Sequence, residues 1–185
     1  MKKVNNKGFS YVEMIVVLAI LALMGGMITL SYGIINRNNV SRASEVLESM
    51  ANQARVNALT KGTSNGYLTI AKVDNDIYAA VGPQYTTVAD VKKNGEKVCS
   101  ATNVRVEMWD LTSPGTKTLT GNTGVSYFYI QFEQVSGGIK SSAGYAGTIN
   151  TTKQARFLRC VSKNGGKEAE FKILGYTGKV THDKW

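Results

Sequence analysis

One carboxylate stands out before any fold is considered. Glu13 lies at the edge of an uncharged, mostly apolar run from Met14 to Ile35, 22 residues long. A carboxylate in such surroundings is costly unless a cation or several hydrogen-bond donors meet it, so its chemistry is charge pairing. Cations gather elsewhere: Arg156, Arg159, Lys163, Lys172, Lys179 and Lys184 crowd the C-terminal third, with Tyr176 and Trp185 near them. Basic residues beside aromatic rings are the chemistry of nucleic-acid backbones and stacked bases. Cys99 and Cys160 are the only thiols, and His182 is the only histidine.

Catalytic and metal chemistry find little here. There is no CxxC or HExxH pattern. The stretch from Gly137 to Ser141 resembles a phosphate loop only superficially, because the GxxxxGK[ST] spacing fails. Asp74, Asn75 and Asp76 lack the spacing and the distal glutamate of a calcium loop, so a plain turn is the better reading. No cofactor, metal site or enzymatic activity is expected.

The elements that position Glu13 start with a short basic leader holding Lys2, Lys3 and Lys7. The apolar run behind it spans about 33 Å as a helix, against a bilayer core of about 30 Å. With lysines before it and mixed charge after it, the expected topology has the N-terminus in the cytoplasm. It is too long for an ordinary signal-peptide core, and no small-residue cleavage site follows it. An ordinary signal anchor fits the length but leaves Glu13 unexplained.

Lys7-Gly8-Phe9-Ser10-Tyr11-Val12-Glu13 resembles the type IV prepilin signature. The resemblance implies cleavage between Gly8 and Phe9 by a prepilin peptidase and methyltransferase, N-methylation of Phe9, and an assembly role for Glu13. A neighbour's new amine would pair with that carboxylate inside an apolar filament core, so neither charge stays buried alone. Tyr11 departs from the leucine common at that position in the family, and Leu30 stands where many relatives have proline. The implied life of the chain is a single-pass membrane protein with an extracytoplasmic head, which then enters an extracellular filament. Its implied partners are other pilin subunits, an inner-membrane assembly platform and the membrane itself before assembly.

Beyond Ile35 the apolar residues fall three and four apart: Val40, Ala43, Val46, Leu47, Met50, Ala51, Ala54, Ala58 and Leu59. Gly62 after Lys61 marks a helix end. The expected organisation is a leader at 1–8, a transmembrane and filament-core helix at 9–35, an amphipathic continuation at 36–61 and a β-rich head at 62–185. Strands are expected at 67–73, 77–81, 104–111, 125–132, 156–161, 169–174 and 179–180, with a tight turn from Gly175 to Gly178. The fold class is therefore α+β: one long N-terminal helix, transmembrane in its first half, packed on an antiparallel sheet.

The ending from Phe171 to Val180 is similar to the last hairpin of minor pseudopilins of type II secretion systems and of related minor pilins. It favours an initiation or near-tip subunit over a bulk pilin. In an exported domain a disulfide between Cys99 and Cys160 is the natural expectation, with two separate buried thiols as the alternative. The net charge is +9, falling to +6 once the three leader lysines are removed. That balance leaves a DNA-binding minor pilin of a competence filament open as a second reading, beside a plain basic surface.

Overall fold

The computed structural model describes residues 10–110, 117–118, 127–144, 155–163 and 167–181. The chain divides into two compact units, 1–35 and 36–185, which are treated separately below. The backbone of helix α1 is assigned from Tyr11 to Lys61 and so passes through the division. Among the described residues a 3-10 turn (Thr63–Asn65), ten strands and a short helix follow: β1 (Tyr67–Val73), β2 (Asp76–Gly82), α2 (Val88–Asn94), β3 (Glu96–Ser100), β4 (Val104–Asp110), β5 (Lys117–Thr118), β6 (Tyr127–Phe132), β7 (Ile139–Gly144), β8 (Arg156–Ser162), β9 (Glu168–Ile173) and β10 (Val180–Thr181).

The strands form two five-stranded sheets, ordered β3-β2-β1-β6-β7 and β10-β9-β8-β4-β5, and every pairing is antiparallel. Alternation along the strands decides what each face buries. Leu68 and Ile70 of β1, with Phe128, Ile130 and Phe132 of β6, come from the first sheet. Val104, Val106, Leu158, Phe171 and Ile173 come from the second. All join one cluster with Val40, Leu47, Ala51, Ala54 and Ala58 of α1. The alanines on this stripe let the helix backbone approach the strands closely. The opposite face of the first sheet holds a smaller cluster in which Val91 of α2 covers Ala71 and Ala80. α2 begins at Thr87, whose Oγ1 accepts the Asp90 N–H at 3.1 Å, an N-cap that fixes where so short a helix starts.

Two turns lock the sheets together at the end of α1. The N–H of Ile139 donates to the Gly175 carbonyl at 2.6 Å, and Arg55 Nε donates to the Thr177 carbonyl at 2.7 Å. Gly178 has a φ of 64°. A Cβ there would overlap the Gly137 carbonyl oxygen, and one at Gly138 would overlap the Tyr176 carbonyl oxygen. Only glycine tolerates both the left-handed backbone and the close approach. At the other end of the head helix, Lys167 Nζ donates to Ser41 Oγ at 2.6 Å.

Three parts of the expected fold need correction. Among the described residues no helix is long and apolar enough to cross a membrane. The described apolar side chains at the start of α1 end at Gly25, a stretch of 15 residues or about 22 Å, short of the roughly 30 Å of a bilayer core. The transmembrane first half and the single-pass membrane localisation are therefore withdrawn. The long rod acting as one element gives way to two units that divide within α1. The single sheet gives way to two.

Strand expectations at 67–73, 77–81, 104–111, 156–161, 169–174 and 179–180 meet strands at nearly those bounds. Residues 125–126, like the expected break at Ser113, Pro114 and Gly115, lie outside the described residues. The Gly178→Ala variant is expected to lose about 1–3 kcal/mol of head stability, because the turn must leave its seat. Gly25→Ala, where a Cβ meets nothing within 4 Å, serves as the control. Thermal unfolding checks this. Equal melting of Gly178→Ala and the parent chain would contradict the docked-turn account.

Candidate assembly site

Gly8 and Phe9, the expected cleavage and methylation positions, lie outside the described residues. The described chain starts at Ser10, and there the sequence makes a reciprocal cap. The N–H of Ser10 donates to Glu13 Oε2 at 2.8 Å. The N–H of Glu13 donates to Ser10 Oγ at 3.3 Å. Ser-x-x-Glu at a helix start is the capping box, which satisfies two backbone donors that the helix leaves unpaired.

The Ser10 N–H and then its hydroxyl hold the Glu13 carboxyl below its ordinary range, with slight desolvation opposing them. Its ionised form is therefore favoured in the folded helix. The cap it provides is present above the ordinary carboxylate pKa and fades as the pH falls through the lowered value. Glu13 therefore has a partner in its own chain, a role that the Ser10-x-x-Glu13 spacing announced and the charge argument passed over. Its other oxygen meets no group among the described residues.

From Tyr11 to Met24 the large apolar side chains lie open all round the helix. Their exposures run from 47% at Val17 to 82% at Tyr11. Glu13 is the only charged residue within that stretch. A helix that is apolar on every side is stable only where something covers it.

The basic residues do not come together. Arg156 and Arg159 sit three apart on β8, an odd spacing that sends side chains to opposite faces. Arg156 points inward and is 1% exposed, with its Nε donating to Ser142 Oγ at 2.6 Å. This contact ties the second sheet to the first. Arg159 points outward into an acidic row. Its Nε and NH2 donate to Glu107 Oε2 at 3.0 and 2.6 Å, and its NH1 donates to Glu168 Oε2 at 3.2 Å. Arg105 Nε adds a 2.6 Å bond to Glu107 Oε1. Lys172 Nζ lies 5.4 Å above the centre of the Phe157 ring. Lys163 and Lys179 are exposed on separate turns, and Lys184, His182 and Trp185 lie outside the described residues. The expected DNA-binding set thus loses Arg156 to the interior and Arg159 to carboxylates.

Both cysteines are free thiols. Cys160 of β8 is fully buried, and Cys99 of β3 packs at the edge of the same cluster. Burial pushes the Cys99 thiol up to about 12, with the Asp76 carboxylate adding and Lys97 opposing. Burial pushes Cys160 up as well. Both remain protonated at neutral pH and are poor nucleophiles. The arrangement is the alternative of two packed thiols; no disulfide joins the sheets. Among the described residues no group of three or more acidic, histidine or cysteine side chains is placed to hold a metal ion.

No family model, curated protein or solved structure matches the chain.

Glu107 is only 4% exposed between two arginines. Glu107→Gln leaves both guanidinium groups short of their carboxylate. A loss of about 1–3 kcal/mol is expected, smaller than for a fully buried pair because both arginines are partly solvated. Denaturant unfolding measures it, and an unchanged midpoint would show that the ion network contributes nothing.

Proposed function

We propose that the chain is a structural subunit of an extracellular type IV pilus-like filament or secretion pseudopilus, assembled through its N-terminal helix, with no catalytic role. Within that class it is a minor subunit that acts at initiation or near the tip. One observation carries the reading: the stretch from Tyr11 to Met24 exposes large apolar side chains on every side. Equivalent stretches of neighbouring subunits are the natural cover, because burying one against another removes apolar surface from water on both. The resemblance of residues 7–13 to the prepilin signature adds the chemistry. Cleavage after Gly8 leaves an amine on Phe9, one residue before the cap. A neighbour's Glu13 carboxylate, already ionised and oriented by its own Ser10, then has an oxygen for that amine.

The minor-subunit assignment is supported by the ending from Phe171 to Val180, whose turn the structure seats firmly against the β6–β7 turn. The DNA-binding reading keeps Lys163, Lys172 and Lys179 but loses Arg156 and Arg159.

Glu13→Gln keeps the side chain's size and removes its charge. Filament incorporation is expected to fall by roughly tenfold or more, the scale of losing one partner of a charge pair buried at an interface. Head unfolding should be unchanged. Quantifying the subunit in sheared filaments tests this. Full incorporation of Glu13→Gln would remove Glu13 from the assembly contact.

A further inference from the structure

Near the first turns of α1 within the head, hydroxyl and ammonium groups collect on the inner side of the second sheet. Alternation puts Leu158, Cys160 and Ser162 of β8 on that side, with Phe171 and Ala169 of β9 opposite the first two. Lys167 stands opposite Ser162, whose N–H donates to the Lys167 carbonyl at 3.1 Å. Residues opposite each other on paired strands share a face, so the Lys167 side chain starts beside that of Ser162. It then reaches across to α1, where its Nζ donates to Ser41 Oγ at 2.6 Å. Ser162 lies at the foot of this bridge. It is 5% exposed, and its Oγ meets no hydrogen-bond partner among the described residues. A buried hydroxyl left in that state costs free energy that an alanine there would not.

The lysine brings a charge that nothing nearby balances. Lys167 takes part in none of the ion pairs among the described residues. Its sequence neighbour Glu168 is held by Arg159 on the other face of the sheet. Arg42 and Glu45, both exposed on α1 around Ser41, offset each other in charge. An ammonium has three donors and no acceptor, and Ser41 uses one of them. Ser41 Oγ accepts that bond, which leaves its own proton to give. Donors therefore converge from α1, the end of β8 and the start of β9, with no carboxylate to receive them. A water would satisfy the Ser162 hydroxyl, whereas an oxyanion would satisfy it and balance the ammonium as well.

The geometry points to a binding site for an oxyanion of the phosphate class, with Lys167 Nζ as the charged donor and the hydroxyls of Ser41 and Ser162 as its companions. The lysine stem is flexible, so the ammonium turns with the arriving anion and uncovers Ser162 Oγ. A tetrahedral phosphate suits donors that approach from three chain segments, because it accepts in several directions at once, while a carboxylate offers two oxygens in one plane. Free phosphate and the phosphodiester of a lipid headgroup share this chemistry. The anion would link α1 to the β8–β9 hairpin, so its binding stabilises the folded head. The inference goes beyond the filament reading and does not rest on it.

The test titrates the full chain, in nonionic detergent, with inorganic phosphate while sodium chloride holds the ionic strength constant. Calorimetry is expected to show a saturable binding step, and thermal unfolding a melting point that rises with phosphate. Lys167→Met is expected to weaken binding by about tenfold, the scale of one hydrogen bond to a charged group. Ser162→Ala is expected to weaken it severalfold and yet, without phosphate, to melt no lower than the parent chain, because the unpaired hydroxyl is gone. Lys179→Met, on the β9–β10 turn, is the control and is expected to bind as the parent does. Glycerophosphoglycerol, a lipid headgroup without its acyl chains, separates the two sources. Binding as tight as that of inorganic phosphate identifies a lipid phosphodiester, and weaker or absent binding identifies free phosphate. No saturable phosphate binding overturns the inference, as does binding that Lys167→Met and Ser162→Ala leave unchanged. A Ser162→Ala chain that melts well below the parent without phosphate also overturns it, since that serine would then be structural. The filament reading is untouched by any of these results.

Discussion

Apolar surface left in water costs about 25 cal/mol per Å², and the start of α1 leaves its large side chains open on every side. That penalty constrains everything else proposed for the chain. A helix with one apolar stripe can settle on its own sheet, as residues 40–58 do against both sheets of the head. A helix apolar all round cannot be satisfied by one face of anything. It needs several neighbours, and in a filament of like subunits each rod is both covered and cover. The head, by contrast, closes its own core and needs no neighbour for it.

Charge then decides how such rods align. An apolar contact alone is tolerant of sliding, whereas a carboxylate in an apolar bundle accepts few positions. The capping box changes the accounting for Glu13. Its carboxylate is held by Ser10 in its own chain, so it is not an orphan awaiting rescue. A partner's amine meets an acceptor that is already ionised and already oriented, and the ordering cost of forming the pair is reduced accordingly. Processing that uncovers an amine beside this cap would convert a stable helix start into a register mark.

The sequence was most legible where periodicity was strong. The core stripe of α1 and the strands at 67–73, 104–110 and 156–162 follow from apolar spacing, and the turn before Gly178 follows from its glycines. β7 was missed because Ile139-Lys140-Ser141-Ser142-Ala143-Gly144 is small and polar, and pairing with β6 overrides its weak strand preference. β3 and α2 are too short for a period to show. The division into two sheets is a matter of which strands pair at long range, which local spacing does not encode. At the candidate site, Glu13 was legible as a misplaced charge. Its cap is written as plainly in the Ser10-x-x-Glu13 spacing, the pattern of a capping box. The basic cluster failed for a geometric reason: three residues along a strand reverse the face, so Arg156 and Arg159 never belonged to one surface.

The account rests on whether an amine is created one residue before the cap. Mass spectrometry of the chain as it occurs in cells that assemble it answers this directly. A terminus at Phe9 carrying one extra methyl group is the predicted result. Retention of Met1, or a terminus at any other residue, would contradict the filament account at its base.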